Sequence, residues 1–236
     1  MALIFLAFII RLNHILIRQL SLTVIFHTGV MEIKSCLLQK YNDYPLGEST
    51  IGELIGRNGK DHLWEDRTDG NVDTIVIHYI SANKVVPGEP FNRDLILGIF
   101  CEYDVSSHYL IERTGNILRL VPEEYKAWHC GGSIMPEPDN RQKVNDFSVG
   151  IELAGTESDK FTDEQYHSLQ ELLDHIEARY GGALKILGHS DVAGERAVKM
   201  GIRSMAKPDP GPFFDWKRLH QSHFEGHNGK IWISGK

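Results

Sequence analysis

The chain has 236 residues, 42% of them hydrophobic and 24% charged, with a formal net charge of -7. That length holds one globular domain of roughly 150–180 residues plus an N-terminal extension. The acidic balance argues against a nucleic-acid partner, because phosphate binding needs a clustered positive field. Three cysteines, Cys36, Cys101 and Cys130, make no disulfide framework, and their odd number suits a reducing compartment.

The chain opens on apolar sequence. Ala2 to Ile10 is an apolar run, and Ile15 to Phe26 is largely apolar with Arg18 and Gln19 inside it. Neither reaches the roughly 18–20 apolar residues that span a bilayer. A signal peptide carries positive charge before its apolar core, and none precedes Leu3. Three readings are open for residues 1–30: an atypical signal or anchor, an interfacial amphipathic helix, or a start codon set too early. Polar residues after Met31 (Glu32, Lys34, Gln39, Lys40) favour translation from Met31. A cytoplasmic protein is expected in that case. A periplasmic or membrane-associated one is expected if residues 1–30 act as a signal or anchor.

Residues 31–71 read as a lead-in, rich in Gly, Asp and Asn from residue 40 and without strong periodicity. Thr74 to Tyr79 is β-branched and apolar up to His78, the pattern of a central strand. Phe91 to Tyr103 predicts a helix, capped by Asn92, with Leu95, Ile96, Ile99 and Phe100 on one face. Val105 to Glu112 and Asn116 to Val121 flank Thr114-Gly115 as a hairpin. Gly131 to Asn145 reads as a loop, and Ser148 to Leu153 as a strand. Thr162 with Gln165 forms a capping box for a helix whose apolar face is Tyr166, Leu169, Leu172, Leu173 and Ile176. Gly181-Gly182 ends it. Leu184 to Leu187 is a strand leading to His189, and residues 220–236 form a tail. The mixture predicts an α/β fold: a single mixed central β-sheet flanked by helices.

Three side chains at the ends of these segments carry the chemistry. His78 and His189 stand where short buried strands give out, and Asp209 lies between Pro208 and Pro210. Two imidazoles and one carboxylate make a three-ligand site for Zn2+ with an open fourth position, which suits metal-assisted hydrolysis. The other reading is structural: most of the twelve histidines are surface or core residues, and Asp-Pro mostly marks a turn. Glu152 lies inside an otherwise apolar strand. There it is either an acid/base with a raised pKa or a solvent-facing residue of an edge strand. Lys207, two residues before Asp209, is either a solvated lysine or an ammonium that stabilises an oxyanion.

Five motifs occur in order: Ser107-His-Tyr-Leu-Ile-Glu-Arg-Thr-Gly115, Ala127-Trp-His-Cys-Gly131, Asn145-Asp-Phe-Ser-Val-Gly-Ile-Glu152, Gly188-His-Ser-Asp191 and Lys207-Pro-Asp-Pro-Gly-Pro212. Together they resemble the type-2 zinc N-acetylmuramoyl-L-alanine amidases, and within them the AmpD-like branch. These share a fold with peptidoglycan recognition proteins. The resemblance covers residues 72–219. It implies that His78, His189 and Asp209 hold zinc, that Glu152 is the acid/base and that Lys207 is the basic residue beside the metal. It further implies a peptidoglycan or muropeptide substrate, with Trp128, His129 and Asn145 on the substrate side. Arg141 or Lys143 is expected to hold a stem-peptide carboxylate.

This chain departs from the pattern in two places. Cys130 stands where the family often has a small residue, and reads as a core filler, a redox-sensitive thiol or an adventitious ligand. Val192 to Ala206 is longer than the corresponding loop of close relatives, which alters the cleft. Two other functions compete. A non-catalytic peptidoglycan receptor would have Glu152 or Lys207 misplaced. A penicillin-sensitive DD-carboxypeptidase would use Ser81-Ala-Asn-Lys84 or Ser204-Met-Ala-Lys207 as a Ser-x-x-Lys nucleophile motif.

Overall fold

The apolar runs assemble into one mixed sheet. A computed structural model describes residues 31–68, 70–182 and 184–219, and the strands at 225–227 and 230–232. The segment 1–30 lies outside the described residues. No helix among the described residues is long and apolar enough to cross a membrane.

In chain order the first elements are β1 (Ile33–Ser35), β2 (Pro45–Leu46), β3 (Ser49–Thr50), α1 (Ile51–Arg57), β4 (Trp64–Asp66), β5 (Thr74–Ile80) and α2 (Arg93–Glu102). Next come β6 (Tyr109–Ile111), β7 (Ile117–Arg119), β8 (Tyr125–Ala127), β9 (Ser148–Ala154) and α3 (Asp163–Tyr180). The chain continues through β10 (Lys185–Gly188), α4 (His189–Ala193), α5 (Glu195–Lys199), β11 (Glu225–His227) and β12 (Lys230–Trp232). The tail expected at 220–236 thus carries an antiparallel pair, β11 with β12.

The central sheet runs β1-β7-β6-β9-β5-β10. Within it β6 and β7 pair antiparallel and the other neighbours pair parallel. Every residue of β9 is buried, and so is β5 from Thr74 to His78. Inner parallel strands are covered on both faces, so they read as continuous apolar runs. An ionisable residue inside such a run is therefore conspicuous, and the buried parts of β5 and β9 hold His78 and Glu152. The register pairs them directly, and paired residues of neighbouring strands point to the same face. Glu152 is accordingly not on an edge strand; β9 lies between β6 and β5.

The helices obey their local signals. Asn92 caps α2 by accepting from the amides of Asp94 and Leu95, which satisfies two of the orphan donors at a helix start. Thr162 and Gln165 form the expected capping box on α3, and Gly181 ends it in a left-handed conformation at φ 76°. The hairpin is shorter than predicted, with Gly115 at φ 83° in its turn.

The lead-in is more ordered than its composition suggests. Thr50 and Glu53 form a capping box for α1, and Ile51 and Ile55 join Leu38, Leu63, Leu97, Phe100 and Leu110 in one core cluster. The 40–73 stretch thus packs into the core through a helix that periodicity does not reveal.

Candidate metal centre and cleft

His78 is the fifth residue of β5, and His189 opens α4 directly after β10. Since β10 pairs with β5, both histidines reach the same rim of the sheet. Asp209 comes to that rim on a loop whose carbonyl accepts from the Ser190 amide at 2.8 Å. Gly188 lets this loop close in: a Cβ there would lie 2.7 Å from Pro210 Cδ.

The three side chains converge. His78 Nδ1 lies 3.0 Å from His189 Nδ1 and 3.1 Å from Asp209 Oδ2, and His189 Nδ1 lies 2.9 Å from that same oxygen. All three residues are buried. Burial, and after it the neighbouring His189, push the His78 imidazole down to about 4. It is neutral at pH 7, with a lone pair to offer. Burial alone would raise the Asp209 carboxyl; the bonds to His189 and His78 outweigh it and hold the group well below its usual range. One proton cannot satisfy two imidazole lone pairs and a carboxylate oxygen that meet at a single point. A divalent cation can, and these three residues form a group able to hold a metal ion.

The outer nitrogens support this assignment. With both Nδ1 lone pairs facing the centre, each Nε2 carries a proton. His189 Nε2 then donates to the Cys130 carbonyl at 3.2 Å, and His78 Nε2 to His129 Nδ1 at 3.0 Å. His129 Nε2 donates in turn to Ser148 Oγ at 3.2 Å, and the Ser148 hydroxyl to the Val144 carbonyl at 2.6 Å. Partners of this kind fix the tautomer and orientation of a ligating imidazole. His129 therefore lines the cleft and also holds His78.

Gly150 makes room for that arrangement, since a Cβ there would meet His129 Cγ at 2.5 Å and Nδ1 at 2.7 Å. Gly150→Ala is expected to push the His129 ring off His78. Overpacking should cost about 1–3 kcal/mol of stability, and loss of the support about 10–100-fold in metal affinity. Thermal denaturation and a metal titration check both; unchanged metal affinity would remove His129 from the support of His78.

The centre floors a cleft of about 430 Å³ whose lining includes Tyr79, Ile80, Phe100, Val105, Trp128, Glu152, Arg203 and Lys207. Glu152 is 8% exposed, and its Oε2 is buried without a hydrogen-bond partner among the described residues. Burial, and after it the Asp209 charge, push its carboxyl well above the usual range, while Lys207 pulls the other way. An orphaned carboxylate oxygen in a cleft is costly for the fold alone.

The family is decided by sequence over this same region: residues 68–212 match the N-acetylmuramoyl-L-alanine amidases. The chain belongs to this family. It is 42% identical over 158 residues to 1,6-anhydro-N-acetylmuramyl-L-alanine amidase AmpD of Enterobacter cloacae, covering 62% of this chain and 78% of that one. Its match to the AmpD of Haemophilus influenzae is 38% over 165 residues, covering 64% of this chain and 83% of that one. The crystal structure of a selenomethionine AmpD derivative superposes with a TM-score of 0.50 at 33% identity, over 66% of this chain and 87% of that one. The protein is thus an N-acetylmuramoyl-L-alanine amidase, and its mixed central sheet is that of its AmpD relatives.

Several expected residues sit elsewhere in the amidase. Arg141 does not line the cleft: its guanidinium lies 3.9 Å from the Phe147 ring and pairs with Asp139 and Asp73 at 2.7 and 2.8 Å. Two carboxylates already hold it, so it has little charge left for a substrate. Lys143 is exposed and occupies a left-handed turn at φ 58°. Asn145 Oδ1 accepts from the Cys130 amide at 2.9 Å and so shapes the Trp128–Cys130 segment from behind. Arg203, which sequence reasoning passed over, is a guanidinium that does line the cleft. It lies in the Val192–Ala206 stretch.

Cys130 is 1% exposed and packs with Val76, Met135, Val144 and Leu187. Burial pushes its thiol well above the usual value, so it stays protonated, as a core filler does. Neither Ser-x-x-Lys segment is helical. Ser81 Oγ donates to the Pro90 carbonyl and accepts from the Asn83 amide, and Ser204 is exposed. A helical turn is what brings a lysine three positions along beside its serine, and both segments lack it.

Proposed function

We propose that residues 72–219 hydrolyse the amide between N-acetylmuramic acid and L-alanine, with His78, His189 and Asp209 holding Zn2+. The observation that carries this is the buried meeting of two imidazoles and one carboxylate beside Glu152, whose Oε2 has no hydrogen-bond partner among the described residues. Two nitrogens and an oxygen are the donor set of catalytic zinc, which keeps a position open. Zinc held there supplies Lewis acidity toward the scissile carbonyl and a water that is nucleophilic at neutral pH. Glu152 accepts the proton of the attacking water and returns it to the amine of the leaving L-alanine. Lys207 places its ammonium against the developing oxyanion. The named activity of the AmpD relatives supports 1,6-anhydromuropeptides as the substrate form. Trp128, half-buried on the cleft wall, offers the apolar face a sugar ring packs on.

Digestion of anhydromuropeptides read by mass spectrometry tests this. Free stem peptide beginning at L-alanine is expected, lost on chelation and restored by zinc. Binding without cleavage would place the chain among the receptors. Loss of a terminal D-alanine alone, insensitive to chelator, would favour the serine chemistry.

Lys207 carries a further expectation. Its charge lowers the Glu152 carboxyl and also the His78 imidazole. Lys207→Met removes that charge, so both groups take up a proton at higher pH. The acid limb of the kcat/KM profile should move to higher pH, and the plateau should fall by about 10²-fold. An unmoved acid limb would separate Lys207 from the reaction.

A further inference from the structure

Val192 to Ala206 joins the two later residues of the metal centre, and Arg203 is the residue it sends into the cleft. The side chain is held in place. Nε donates to the Met205 carbonyl at 2.6 Å, and Nη1 to the carbonyls of Cys130 at 3.2 Å and Gly132 at 3.1 Å. The close approach of the two segments is built in, because a Cβ on Gly132 would lie 2.5 Å from the Ile202 carbonyl oxygen. The Cys130 carbonyl that receives Arg203 also receives His189 Nε2. The guanidinium is therefore two hydrogen bonds away from a residue of the metal centre.

Its charge is not neutralised. Carbonyls orient a guanidinium but leave its net charge in place. Among the described residues no carboxylate pairs with Arg203, whereas Arg93, Arg141, Arg179, Arg196 and Arg218 each meet one. Nη2 donates to no acceptor among the described residues. In a chain of net charge -7, the cleft thus presents a fixed cation with a free N–H edge, which is the donor geometry that recognises a carboxylate.

The substrate has such a group. This step rests on the amidase function: the residue after L-alanine is a glutamate linked through its γ-carboxyl, so its α-carboxylate is free one residue beyond the scissile amide. We propose that Arg203 Nη2 binds this α-carboxylate and makes the enzyme selective for stem peptides in which it is not amidated.

The test uses two substrates, 1,6-anhydro-N-acetylmuramoyl-L-Ala-γ-D-Glu-L-Lys with the α-carboxylate free and the same compound with it amidated. The metal-loaded wild-type enzyme is expected to prefer the acid by about 10–100-fold in kcat/KM, mostly through KM, as one charge-assisted hydrogen bond provides. Arg203→Met should retain metal and erase that preference, so that activity on the acid falls by about 10–100-fold more than activity on the amide. Arg203→Lys, which keeps the charge without the fork, should fall between. An equal loss on both substrates, or a loss of metal, would make Arg203 only a staple of the Cys130–Gly132 loop and overturn the proposal. So would a wild type indifferent to amidation. A metal-loaded wild type that cleaves neither substrate would overturn the amidase function itself, and this inference with it.

Discussion

Glu152→Gln is expected to retain metal, lose about 10²–10⁴-fold in turnover and be at least as stable as the wild type at pH 7. The amide keeps the volume and planar shape of the carboxyl, and Glu152 is not one of the three converging residues, so metal content should not change. What disappears is the group that accepts and returns a proton. The stability half follows from linkage. Burial and the Asp209 charge raise the Glu152 carboxyl in the folded protein. An acid with a raised folded pKa destabilises the fold wherever the unfolded chain would ionise, which begins near the unfolded value of about 4.3. Below that pH the two proteins should match, and as pH rises toward 7 the variant should gain. Thermal melts at acid and neutral pH, with kcat and metal analysis, check all three. A variant that keeps full turnover would end the acid/base role, and one that is inactive because it has unfolded would mean that Glu152 is structural.

Much of this site was legible because inner strands forbid polar residues without a reason. His78 and Glu152 interrupt β5 and β9, and the capping signals at Asn92 and Thr162 fixed the helices around them. What stayed hidden depends on contacts between segments far apart in sequence. Arg141 looked available because the chain near it does not show Asp73, which comes to it across 68 residues. His129 read as a substrate residue because its bond to His78 spans 51 residues. Arg203 was missed because no periodicity governs a loop. The helix α1 was a different omission, because the Thr50–Glu53 capping box was in the sequence. Only seven residues follow it, too few for an apolar stripe to declare itself.

His78→Ala should abolish metal binding, and activity should fall to the level of the chelated wild type without recovery on adding zinc. Two losses coincide in this one side chain. Nδ1 is one of the three converging donors, and the remaining His189 and Asp209 make a pair too sparse to hold a catalytic ion. Nε2 is the donor to His129, so truncation also removes one of the two contacts at the buried His129 Nδ1 and leaves it only the Cys130 thiol at 3.2 Å. The wild type should melt lower in chelator, because an ion bound only by the folded state stabilises it by mass action. The variant should melt at one temperature with and without chelator, below that of the metal-loaded wild type. Chelator sensitivity is the discriminating quantity. A variant that still binds metal, and still melts lower when it is removed, would mean that the ion sits elsewhere. A second group among the described residues, His78 with His129 and Cys130, also lies close enough to hold an ion and would lose it with His78 as well. Cys130→Ala then decides between them: it leaves His78, His189 and Asp209 intact, and metal affinity should not change.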